Sequence, residues 1–104
     1  MFLRLDTDAK TVELVDPDNC DEFHLEVSGD PNPADIDETI AAAGAGRLVG
    51  PNAWIAVDRL RQMAEGKVSE DWPTRFQMML DAAGRNGWMN DDRSYVMGHL
   101  KKVG

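Results

Sequence analysis

The sequence predicts an α+β fold, with a three-stranded antiparallel meander over residues 1–31 and a mainly helical part over residues 32–104. Three observations lead there. Apolar residues alternate with period two as far as Val27, the pattern of strands that bury one face. Beyond Pro33 the apolar spacing lengthens to three and four, the helical repeat. Leu, Ile, Val and Phe supply 22 of 104 residues, joined by three Trp, one Tyr and six Met, so the chain supports one modest core.

In order along the chain, Leu3 and Leu5, then Val12 and Leu14, then Phe23, Leu25 and Val27 form three inward sets, with Arg4, Glu13, His24 and Glu26 facing outward. Thr7 to Lys10 is rich in turn formers, and Asp16 to Asp21 contains Pro17, which removes a ladder donor. Asn32 is suited to cap a helix that starts at Pro33. Asp35, Asp37 and Glu38 complement the positive end of that helix, and Ile36, Ile40 and Ala43 face the core. Gly44-Ala45-Gly46 ends it.

The apolar run Ala53 to Val57 predicts a short strand, and Asp58 a cap for a helix ending near Gly66. Ser69 or Asp71 begins a longer helix whose stripe is Trp72, Phe76, Met79, Leu80 and Ala83, ending between Gly84 and Gly87. A short strand at Trp88, a turn at Asn90 to Ser94 and a strand from Tyr95 to Val103 complete the reading. Val96, Leu100 and Val103 also fit helical spacing, and Tyr and Val decide for strand. Trp54, Trp72, Phe76, Leu80 and Trp88 are assigned to the core, and Met78 is the methionine expected at the surface.

This order of elements after residue 32 resembles a winged helix, with Ser69 to Arg85 as its recognition helix and Asn90 to Ser94 as the tip of its wing. In a nucleic-acid binder of that kind, Arg75, Arg85, Arg93, Lys101 and Lys102 would contact phosphate. The charge argues for a different partner. The net charge is −8, from 19 acids and 11 Lys plus Arg. Residues 1–40 hold 12 acids and two bases, while residues 41–104 hold seven acids and nine bases. The expected recognition helix itself carries more acids than arginines. A non-catalytic module that binds a protein partner is therefore the leading expectation, and nucleic-acid binding the alternative.

Motifs for chemistry are weak. Asp16 to Glu22 lacks the Gly and the closing Glu of a calcium loop, since Asp21 and Val27 occupy those places. Cys20 and His24 are too few for zinc, and His24 is expected to be an exposed surface residue. Gly44 to Gly50 resembles a phosphate-binding glycine loop but follows a helix, so helix termination explains it. No catalytic, metal or cofactor residue is nominated. A single cysteine and the lack of an apolar run of membrane length lead us to expect a cytoplasmic protein with no membrane partner.

One stretch carries a family-level likeness. Ala43-Gly44-Ala45-Gly46-Arg47-Leu48, Ala53-Trp54-Ile55, Val57-Asp58, Glu70-Asp71-Trp72, Arg75-Phe76, Met79-Leu80 and Gly87-Trp88 together resemble small actinobacterial proteins of unknown function over residues 40–90. The resemblance implies no activity and no site.

Overall fold

The computed structural model describes residues 1–103. Strands β1 (Phe2–Asp6), β2 (Thr11–Val15), β3 (His24–Ser28), β4 (Gly46–Val49), β5 (Asn52–Ala56) and β6 (Tyr95–Lys102) form one mixed sheet in the order β2-β1-β3-β6-β5-β4. Helices α1 (Pro33–Ala42), α2 (Val57–Ala64) and α3 (Trp72–Arg85) complete an α+β fold.

The N-terminal strands do not form an antiparallel meander. β1 and β2 are an antiparallel hairpin, Leu3 facing Leu14, but β1 lies between β2 and β3 and runs parallel to β3, Leu3 beside Leu25. Alternation sets which side chains point inward and is the same for parallel and antiparallel neighbours, so it could not decide between them. The decision lies in the Asp16–Phe23 connection, which carries the chain past β1. That loop is held by α3: the Trp72 indole N–H donates to the Pro17 carbonyl at 2.7 Å, and Arg75 pairs with Asp18 at 2.7 Å.

Nor do the later elements assemble as a winged helix. β6 is inserted between β3, to which it is parallel, and β5, to which it is antiparallel, so the strand expected to edge a wing lies in the middle of the sheet. The strand β4 has no counterpart in the sequence reading, because its four residues begin inside a glycine-rich stretch. Gly46 is what permits it: at φ +148° its backbone lies against β5, and a Cβ there would coincide with the Trp54 carbonyl.

Helix boundaries follow local chemistry. Asn32 Oδ1 accepts from the Ala34 N–H at 2.8 Å and Pro33 occupies the first turn of α1, as the sequence indicates. α2 begins one residue before the expected cap Asp58, with Ala56 at the N-cap and no side-chain capping bond. α3 begins after Asp71, whose carboxylate turns to Ser69 and Arg75 instead of capping.

The helices pack on one face of the sheet. α1 contacts β1, β2 and β4, which lie toward opposite ends of the strand order, so the sheet curls around it. Ile36, Ile40, Leu60, Phe76 and Leu80 from the helices join Leu3, Leu5, Leu25, Val27, Ile55 and Val96 from the strands in one buried cluster. Trp72 stacks on Phe76 with ring centroids 4.5 Å apart. Met79 packs against this cluster and Met78 is 64% exposed, as expected from their adjacency on a helix.

Candidate functional site: the helix-free face of the sheet

Because Ala53 and Ile55 on β5 point inward, Trp54 between them must point to the opposite face. Its cross-strand partners are Met97 on β6 and Arg47 on β4. Beyond Met97, residues 88–90 extend the sheet alongside β6. The Met89–Val96 bridge turns Met89 toward the core, so Trp88 and Asn90 share the outer face, beside Met97 and Tyr95 respectively. The result is a row, Trp88, Met97, Trp54 and Arg47, laid across the strands. A second row runs next to it: Phe2, His24, His99, Asn52 and Val49.

Two of the residues assigned to the core are therefore corrected. Trp54 is only partly buried and Trp88 is 53% exposed, whereas Trp72, Phe76 and Leu80 are buried. The alternation around Trp54 held the necessary signal; for Trp88, only the pairing with β6 defines its side. His24 is corrected as well. Its ring stacks on Phe2 at 4.9 Å and its Nε2 lies 2.9 Å from Glu26 Oε2, leaving the side chain 11% exposed.

Two clefts open along the rows. The first, about 450 Å³, lies where β6 begins, walled by Arg47, Trp54, Asn90 and Tyr95 and by Ala41 and Gly44 at the end of α1. The second, about 300 Å³, is lined by Phe23, Asn52, Trp88, Met97 and His99. No carboxylate lines either cleft.

The five basic residues singled out for phosphate contact are dispersed. Arg75 is committed to Asp18 and Asp71, at 2.7 and 3.1 Å. Its guanidinium holds both carboxyls below the usual aspartate range, with Ser69 hydrogen bonds adding to the effect. Arg93 pairs with Asp81 at 2.8 Å and lies against Gly84, next to Arg85 in the last turn of α3. Lys101 sits opposite Glu26, and Lys102 beside it, at the other end of β6. An eight-residue strand spans roughly 25 Å, so these lysines and Arg93 do not share one patch. Cys20 is half-buried, and burial pushes its thiol up, away from the reactive thiolate. Asp92 is lowered by hydrogen bonds from Ser94, which close the Asn90–Ser94 turn.

No helix is long and apolar enough to cross a membrane among the described residues. Set against protein-family models, curated proteins and solved structures, the chain matches none.

Proposed function

We propose that this chain is a non-catalytic interaction module that binds a protein partner through the helix-free face of its sheet. The observation that carries this reading is the row Trp88, Met97, Trp54 and Arg47, with Tyr95 beside it. Protein interfaces are enriched in Trp, Tyr, Met and Arg and depleted of Lys, Asp and Glu, and Trp, Tyr and Arg dominate binding hot spots. This row contains no acid on a chain that carries 19; acids of the same face, such as Glu13 and Glu26, lie away from it on β2 and β3. Trp88, Tyr95 and Val49, three of the large apolar side chains left most open to solvent, all belong to this face. The complementary partner presents apolar side chains and a carboxylate for Arg47.

A photo-crosslinking residue placed at Met97, with the same residue at Met78 on the exposed side of α3 as control, tests the reading in native cells. A discrete protein adduct from position 97 alone, lost when Trp54 and Trp88 are both changed to alanine, supports it. Identical adducts from both positions, or an adduct to nucleic acid, overturn it.

A further inference from the structure

We infer that the cleft at the start of β6 binds a planar aromatic carboxylate. This goes beyond the protein-binding reading, since it concerns a small ligand and needs no partner. Its volume, about 450 Å³, falls within the range of small-molecule sites and suits a one- or two-ring molecule.

Its walls are aromatic and set by the sheet. Trp54 faces Met97, and Ala56 faces Tyr95, so Trp54 and Tyr95 are diagonal neighbours across β5 and β6 on the same face. Such neighbours lie roughly 7–8 Å apart, close enough for one flat ring to touch both. Tyr95 is fixed in place by the turn before it: Asn90 Oδ1 accepts from the Tyr95 N–H at 2.8 Å, and Asn90 Nδ2 donates to Ser94 Oγ at 3.0 Å. The turn thus sets the backbone from which Tyr95 projects before any ligand arrives.

Asn90 has spent its side-chain polar groups, but two other residues of the cleft have not. Arg47, directly across from Trp54, is in no ion pair among the described residues, unlike Arg75 and Arg93. The Trp54 indole N–H has no acceptor among them, unlike that of Trp72, which donates to Pro17. Arg47 is also the only ionised side chain in the lining. Asp37 on α1 is occupied, accepting from the Leu48 N–H at 2.9 Å. Arg47 pairs with no carboxylate among the described residues, so its guanidinium is open to an anion even on a chain of net charge −8.

The same surroundings favour carboxylate over phosphate. Phosphate sites use several free backbone N–H groups or a helix N-terminus. Here the helix end is C-terminal, and its following N–H groups are taken: Gly44 donates to Ala41 at 2.9 Å and Ala45 to Ile40 at 3.1 Å. What is left is one guanidinium fork, the match for a single carboxylate.

The indole N–H signals of the three tryptophans provide the test. Trp54 reports the cleft, Trp88 the second cleft and Trp72 the core. The intact ¹⁵N-labelled chain is titrated with indole-3-acetate, with its neutral isostere indole-3-acetamide, and with AMP. We expect a saturable shift of Trp54 with indole-3-acetate, at least tenfold weaker binding of the amide and of AMP, and a stationary Trp72. Arg47→Gln should abolish the preference for the acid without changing the thermal melt, since Arg47 is exposed. Equal binding of acid and amide by the wild-type chain overturns the inference even if the variant fails to fold. So do AMP binding as tight as that of the acid, a preference that survives in Arg47→Gln, and the absence of any Trp54 shift.

Discussion

Gly98 lies in the middle of β6 with Ala53 on one side and the line of β3 on the other, and its missing side chain is a packing requirement. A Cβ built there would overlap Leu25 Cδ1 and stand 3.0 Å from Phe23 Cε2. Leu25 is fully buried, so its methyl has nowhere to swing without displacing other core atoms. Gly98→Ala therefore sets overpacking, about 1–3 kcal/mol, against the about 0.4–1 kcal/mol that alanine gains by restricting the unfolded chain. A net loss of about 1–2 kcal/mol is expected. Leu25→Ala alone should cost about 2–5 kcal/mol through lost burial and the cavity it leaves. In the double variant the alanine at 98 occupies part of that space, so the combined loss should fall short of the sum by about 1 kcal/mol or more. Urea denaturation of the four proteins measures this, and thermal melts should shift by about 4–8 °C per kcal/mol. A Gly98→Ala protein as stable as wild type, or losses additive within about 0.3 kcal/mol, would refute the packing of β6 against β3 described above.

Other consequences are measurable with the same tools. Asn32→Ala removes the cap of α1 and should cost about 1 kcal/mol in a urea melt, whereas no comparable loss is expected for Asp58→Ala, which caps nothing. Asp18 and Asp71 have lowered folded pKa values, so the stability they contribute is present above the ordinary carboxylate range and is lost as pH falls through the folded values. The difference in urea midpoint between wild type and Arg75→Gln should accordingly be full near neutral pH and close below about pH 4; a gap that widens with acid contradicts the ion-pair assignment. In single-tryptophan variants, acrylamide should quench Trp88 most and Trp72 least, and strong quenching of Trp72 would place α3 wrongly.

Much of this fold can be read locally. Leu3, Leu5, Leu25 and Val27 are buried where alternation puts them, and the stripe Trp72, Phe76 and Leu80 faces the core where helical spacing puts it. The Asn32–Pro33 start of α1 follows from residue chemistry alone, whereas Tyr95 onward fits strand and helix alike by spacing, and its place between β3 and β5 settles it as strand. The candidate site was half legible. An inward Ala53 and Ile55 require an outward Trp54, yet tryptophan's apolar bulk argues for the core, and hydrophobicity without periodicity misplaces it.

By itself, then, the sequence determined the α+β class, the inward sets of the three N-terminal strands and the capped start of α1, because each depends on neighbours within a few residues. Only the tertiary structure decided that β1 and β3 run parallel, that β6 lies at the centre of the sheet, and that Trp88, Met97, Trp54 and Arg47 form one row. Those arrangements depend on contacts between residues far apart in the chain, such as Trp72 with Pro17 and Leu25 with Gly98, and strand alternation is the same whichever neighbour a strand acquires.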